Sequence, residues 1–170
     1  MQKARLLQHA NTDDTIRQFA SSRPTTNAID PGCFGYWSRE EILLFLEQLL
    51  DNERIGIAAY AAIGRAADSD VADLALEAEM GQGAICVLLK KEMAARGGTD
   101  VLPRKAAAAI PDGDFSLRSR IRVASRNQTR LADMIEDAVL NIPDSKLNAK
   151  LVYLLLLHRK QVEQLEILLD

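Results

Sequence analysis

Residues 38–64 read SREEILLFLEQLLDNERIGIAAYAAIG. Ser38 followed three residues later by Glu41 has the pattern of a capping box, in which each side chain bonds the backbone N–H of the other residue. Apolar residues then recur at alternating steps of three and four, the spacing that keeps one face of a helix against neighbouring helices. The stretch therefore predicts a long amphipathic helix with Ser38 as its N-cap.

Three further stretches carry the same periodicity between recognisable start and stop signals. The signals at the boundaries are Asp68 or Ser69, Gly97-Gly98, Asp114 or Ser116, Pro143 and Asp144. Together they predict four helices, at about 39–66, 69–96, 115–141 and 145–169.

The composition favours packed helices over sheets. Ala and Leu occur 24 times each in 170 residues, whereas Val occurs seven times and aromatic residues make up 5%. We therefore predict an all-α four-helix bundle over residues 38–170, preceded by an N-terminal arm, 1–37, that is mostly loop with room for a short helix. The connector between helices 2 and 3, residues 99–114, is long enough to be a crossover along the bundle.

Bulk features exclude several classes of protein. The net charge of −3 argues against a generally basic nucleic-acid binder. Two cysteines that form no CxxC pair, with two histidines, argue against a zinc site. No signal peptide and no apolar run of membrane-spanning length is found, so we expect no membrane partner and a cytoplasmic protein.

The apolar seams of the predicted helices are interrupted near their middle. Each helix has one polar residue there, 13 to 15 positions after its start: Glu53, Gln82, Gln128 and His158. Mid-helix positions share one level of a bundle whichever way the helices run, so these side chains are predicted to converge. They form either a metal or ligand site or a closed hydrogen-bond network that fixes helix register. A shifted register would instead leave Glu79 or Gln161 at a solvated edge.

Residues 38–170 resemble the ferritin-like superfamily in helix order and in the aligned mid-helix positions. The residues that carry the resemblance are Leu49-Leu50-Asp51-Asn52-Glu53-Arg54, Glu79-Met80-Gly81-Gln82, Gln128 and Leu155-Leu156-Leu157-His158. The family implies a four-helix bundle with one long crossover and a central di-metal site, held by a Glu on helices 1 and 3 and a Glu-x-x-His on helices 2 and 4. Here glutamine replaces His at 82 and Glu at 128, and leucine replaces Glu at 155.

Three metal-ligand positions thus remain, Glu53, Glu79 and His158, and the resemblance implies a degenerate site. We expect a ferritin-like bundle that has lost di-iron chemistry, holds no cofactor and acts as a binding or interaction protein rather than an enzyme, with Gln82 and Gln128 as the candidate ligand-binding residues. The alternative is a metal-dependent oxidoreductase or iron-handling protein that holds iron or manganese on the reduced ligand set.

Three further patterns allow a structural and a functional interpretation. Four arginines at steps of four on helix 3 form a basic ridge that is either a solvated face or a surface for an anionic partner. Glycines inside helices 1 and 2 indicate close helix contact or a pocket beside the polar residues. The residues are Arg118, Arg122, Arg126 and Arg130 in the ridge, with Arg120 nearby, and Gly56, Gly64, Gly81 and Gly83.

Helix 4 is apolar almost all round between Leu151 and Leu157. A helix that is apolar on every side is usually buried, so we expect cover from the N-terminal arm or from a second subunit, and hence a homodimer. The aromatic residues Phe34, Tyr36 and Trp37 are predicted to pack the arm onto the bundle, and Cys86 to be an unreactive core thiol.

Overall fold

The computed structural model describes residues 35–99 and 115–170, and these residues form an all-α four-helix bundle. The predicted fold class is confirmed, with each observed helix bound within two residues of the predicted one. The arm before residue 35 and residues 100–114 of the connector lie outside the described residues. The four helices are α1 (Arg39–Gly64), α2 (Ser69–Ala95), α3 (Leu117–Val139) and α4 (Ser145–Ile167).

Three of the four helices begin with a side-chain cap. Ser38 Oγ accepts from Glu41 N at 3.2 Å while Glu41 Oε2 accepts from Ser38 N at 2.7 Å, which completes the capping box. Asp144 accepts from the backbone of Lys146 and Leu147. Ser116 caps α3 and Asp68 is the N-cap of α2, although its side chain makes no capping bond.

Glycine ends α2, as the sequence predicts. Gly97 has a φ of +72°, in the left-handed region that L-residues other than glycine rarely adopt. The N–H of Gly98 then donates to the carbonyl of Met93 at 2.9 Å, which satisfies a carbonyl at the helix end.

Contacts at one end of the bundle fix the direction of every helix. Arg39 Nε donates to the carbonyl of Arg96 at 2.6 Å, so α1 begins where α2 ends. Trp37 N donates to the carbonyl of Asn141 at 2.8 Å, so α3 also ends there, and α4 begins at the same end. Thus α2 and α3 are parallel, and the connection between them joins opposite ends of the bundle, as the predicted crossover requires. None of the helices in 35–99 and 115–170 combines the length and apolarity needed to cross a bilayer.

The hydrophobic core is divided into two clusters along the bundle axis. The larger cluster lies in the half where α1 and α4 begin, and the smaller lies in the half where they end. Of the three aromatic residues predicted to pack the arm onto the bundle, Trp37 packs on the larger cluster, with its ring centroid 5.4 Å from that of Phe45. Tyr36 is exposed instead, and Phe34 lies outside the described residues. The smaller cluster consists of Ala59, Tyr60, Ile63, Ala75, Ile121, Ala124 and Leu165.

A group of ion pairs joins the end of α2 to the first half of α4, at the end of the bundle nearest the larger cluster. Arg96 at the end of α2 pairs with Glu92 at 2.7 Å and also with Asp144 at the start of α4, and Lys150 pairs with Glu92. Burial alone raises the pKa of Glu92, but the hydrogen bonds from Lys150 and Arg96 outweigh it and lower the pKa. The backbone N–H of Leu147 lowers the pKa of Asp144 against a smaller effect of burial, and Arg96 lowers it further.

Because the folded-state pKa of Asp144 is lowered, its charge stabilises the fold above the ordinary carboxyl pKa, and this stabilisation is lost as the pH falls through the lowered value. We expect Asp144→Asn, which keeps a capping side chain, to lower the free energy of unfolding at pH 7, with the difference from the unmodified protein shrinking below about pH 4. Urea denaturation across a pH series measures this difference. If the difference in free energy of unfolding stays constant with pH, the charge of Asp144 does not stabilise the fold.

Candidate functional site

One polar side chain from each helix lies in the interior between the two hydrophobic clusters. Glu53 of α1, Gln82 of α2, Gln128 of α3 and His158 of α4 have no solvent-exposed surface. We call these four residues the polar layer. The structure thus buries together the four side chains that interrupt the apolar seams.

His158 is the central residue of the polar layer because each ring nitrogen faces a different helix. Its Nδ1 lies 2.7 Å from Gln128 Oε1, and its Nε2 lies 3.0 Å from Glu53 Oε1. An amide oxygen only accepts, so Nδ1 carries the hydrogen of the first contact. The second contact joins the ring to the one carboxylate of the layer, at a distance that suits an ion pair when the ring is protonated.

Most of the other polar atoms in the layer have no hydrogen-bond partner among the described residues. Both carboxylate oxygens of Glu53 and both amide atoms of Gln82 are in this position, as are Gln128 Nε2 and His158 Nε2. The Nε2–Oε1 contact is close enough for an ion pair but is not aligned as a hydrogen bond. Each unsatisfied buried polar group lowers the free energy of unfolding by about 1–3 kcal/mol, so the layer destabilises this core.

Gly56 makes the space that Gln82 occupies. It lies one helical turn after Glu53, and a Cβ atom at this position would stand 2.8 Å from the amide carbon of Gln82. Of the two interpretations of the helical glycines, close helix contact is therefore the one that applies at Gly56, where the Gln82 side chain of α2 lies against α1. Close contact does not apply at Gly81 and Gly83, where the structure has nothing within 4 Å of an added Cβ, although Gly81 lines a surface cavity together with Gln161. Gly64 has only ordinary packing against Ala75.

Sequence reasoning missed two buried asparagines that flank the layer. Asn127 Nδ2 donates to the carbonyl of Asn52 at 3.2 Å, joining α3 to α1, and Asn52 Nδ2 donates to the carbonyl of Gln48 at 2.8 Å. Each asparagine directly precedes a layer residue in the chain, and this adjacency was the available signal. Gln161, one turn after His158, is also buried, and its Oε1 has no partner in the described part of the chain.

The layer also affects two ionisable neighbours. Burial, and then the charge of Glu53, raise the pKa of the Cys86 thiol to about 11, so the thiol is protonated at neutral pH and is a poor nucleophile. Burial raises the pKa of the Tyr60 hydroxyl in the same way, and Glu53 adds to that effect. Neither side chain is therefore set up for nucleophilic chemistry.

The three residues predicted as metal ligands are placed differently by the structure. Glu53 and His158 are in contact inside the layer, whereas Glu79 is only half-buried on α2. Within residues 35–99 and 115–170, no group of three or more His, Cys, Asp or Glu side chains is arranged to hold a metal ion. On α4, Leu155 occupies a buried apolar position one turn before His158.

The arginine ridge lies on the outer surface of α3. Arg118, Arg122, Arg126 and Arg130 are exposed, and none is paired with a carboxylate in the ranges that the structure describes. Arg120 is half-buried, and its Nε donates to the carbonyl of Phe115 at 3.2 Å. The ridge is thus a solvated face, and its use for an anionic partner stays a prediction.

Comparison of the chain with protein-family models, with curated proteins and with solved structures gives no match.

Proposed function

We propose that this chain is a ferritin-like bundle that has lost di-iron chemistry and acts as a non-enzymatic binding or interaction protein. The observation that carries the proposal is the donor set of the polar layer: one carboxylate, two uncharged amides and one imidazole, all without solvent exposure. This set differs from what a pair of metal ions requires.

A di-metal centre needs several carboxylates to offset the charge of two cations and to bridge them. In the polar layer Glu53 is the one carboxylate, because Gln82 and Gln128 are neutral and Leu155 offers no ligand atom. Glu79, which would supply a second carboxylate, is half-buried outside the layer. The residues present therefore do not fit two metal ions.

The outer surface supports the binding part of the proposal. Large apolar side chains are exposed on the outer faces of two neighbouring helices, outside the core that residues 35–99 and 115–170 form. Exposed apolar surface of this kind marks sites of protein interaction. The residues are Leu76, Met80 and Val87 on α2, and Val152, Tyr153 and Leu156 on α4.

A second candidate function is supported by the contact between Glu53 and His158. A single cation between the two side chains would satisfy a carboxylate with two unpartnered oxygens and the unpartnered Nε2. With iron or manganese as that cation, the chain would be a metal-dependent oxidoreductase or an iron-handling protein, although Glu79, the third ligand of the predicted set, lies outside the layer.

Metal analysis of protein purified from medium supplemented with iron or manganese separates the two functions. We expect less than stoichiometric metal in the unmodified protein, and we expect Glu53→Gln to change its stability and not its metal content. Stoichiometric metal that is lost in Glu53→Gln and in His158→Ala would overturn the proposal and establish the second candidate. Lys160→Ala, an exposed change on the same helix as His158, is the matched control and should leave the metal content unchanged.

A further inference from the structure

The outer face of α2 carries a stripe of apolar residues that belong to neither core cluster of the described residues. Leu76, Met80 and Val87 are exposed by 55%, 69% and 68%, and Ala84 is exposed between them. The spacing of four, four and three keeps them on one side of the helix over about 16 Å. We call these four residues the α2 stripe. Apolar side chains aligned over three turns present the same kind of seam that packs helices together.

The charges on this face change sign along the helix. Asp73 and Glu77 stand at the end nearest the start of α2, and Lys91 stands at the other end, all of them exposed. Glu77 lies seven residues before Ala84 and Lys91 lies seven residues after it. Seven residues make two helical turns, so both charges lie on the same side as Ala84.

This arrangement is complementary to itself under a twofold axis at Ala84. Two copies of α2 laid antiparallel about that axis bring Glu77 opposite Lys91 of the partner subunit, and Met80 within one residue of the position opposite Val87 of the partner subunit. Gly83 and Ala84 are small, and none of the described residues lies within 4 Å of an added Cβ at Gly83, so the helices can approach closely at the crossing. A parallel arrangement would instead place like charges together.

The exposed apolar face of α4 lacks this property. Lys146 lies seven residues before Tyr153 and Lys160 lies seven residues after it, and both are exposed. An antiparallel pairing about Tyr153 would therefore bring Lys146 opposite Lys160 of the partner subunit, and the like charges would oppose association. The prediction of a homodimer through α4 is thus less well supported by the charges than pairing through α2.

We infer that two copies of this chain associate through the α2 stripe, antiparallel about Ala84, with Glu77 and Lys91 as the pair that sets the direction. The inference is independent of the proposed function, because the α2 face would pair two copies whether or not the interior holds a metal ion.

Sedimentation equilibrium over a concentration series tests the interface. We expect the unmodified chain to dimerise, and Met80→Glu to raise the dissociation constant by at least about tenfold, because it places a carboxylate in the apolar centre. Leu156→Glu, the same change on the exposed face of α4, is the matched control and should leave the dissociation constant within about twofold. Circular dichroism establishes that both variants remain folded.

A charge exchange tests the direction of pairing. Glu77→Lys alone should raise the dissociation constant about threefold to tenfold, and the combined change Glu77→Lys with Lys91→Glu should return it to within about twofold of the original. In a chain with Cys33 and Cys86 both changed to serine, Ala84→Cys should give an oxidised dimer and Tyr153→Cys should not.

Three results would overturn the inference. The first is a monomer at every concentration, which would mean that residues 1–34 or another protein cover the α2 stripe. The second is dissociation by Leu156→Glu with no effect of Met80→Glu, which would place the interface on α4. The third is a failure of the double charge exchange to restore association. Metal content measured on the same samples reports separately on the proposed function.

Discussion

Replacing His158 with leucine is expected to lower the free energy of unfolding by about 3–5 kcal/mol. The change removes the side chain that contacts both Gln128 and Glu53, and so leaves a buried carboxylate and a buried amide with fewer partners. Lys160→Leu, on the exposed side of the same helix, should change the free energy of unfolding by no more than about 0.5 kcal/mol. Urea denaturation of both variants measures the two effects.

Replacing the whole polar layer is expected to have the opposite effect. The combined changes Glu53→Met, Gln82→Met, Gln128→Met and His158→Leu remove every partner at once, so no buried polar group of the layer is left unsatisfied. The two hydrophobic clusters then become one, and we expect a free energy of unfolding equal to or about 1–4 kcal/mol above the original value. A fourfold variant less stable than His158→Leu would contradict this and would show that the polar groups stabilise the core together.

The second large effect is expected at Gly56. Gly56→Ala should lower the free energy of unfolding by about 1–3 kcal/mol, because the added Cβ meets the buried amide of Gln82. In a Gln82→Ala background, Gly56→Ala should raise the free energy of unfolding by about 1 kcal/mol. Alanine is the better helix former, and the amide that the added Cβ would meet is gone. The reversal of sign identifies the amide as the cause.

A control for the glycine effect lies on the next helix. Gly81 has nothing within 4 Å of an added Cβ, so Gly81→Ala should raise the free energy of unfolding by about 0.5–1 kcal/mol in either background. Thermal or urea unfolding of the four Gly56 and Gln82 combinations completes the cycle. Additive effects of the two changes would show that Gly56 is not required by the Gln82 amide.

The helices could be predicted from the sequence because their signals are local. The capping box at Ser38, the glycine stop at Gly97 and the cap at Asp144 each depend on bonds between residues two to five apart. The level of the polar layer followed equally from periodicity, since a seam interrupted at one point in each of four similar helices places those residues at one height.

Gln82 points inward as predicted, but the exact rotation of α2 could not be predicted, and the reason is its composition. Its outer face is apolar at Leu76, Met80 and Val87, so the contrast between inner and outer faces that would fix the helix is weak. In consequence Glu79 and Cys86, which fit the inward seam by spacing, are only half-buried, while Ile85 and Glu92 are buried. Pairs such as Glu92 with Lys150 were also beyond prediction, because they join residues 58 apart.

Because the core is divided, the polar layer has far fewer buried apolar residues on one side than on the other. On one side of the polar layer stand seventeen buried residues, and on the other only seven, of which Ala59, Ala75 and Ala124 are alanines. Local opening is easiest where few apolar contacts must be broken. We therefore expect local opening that exposes the polar layer to begin at the end where α1 and α4 finish.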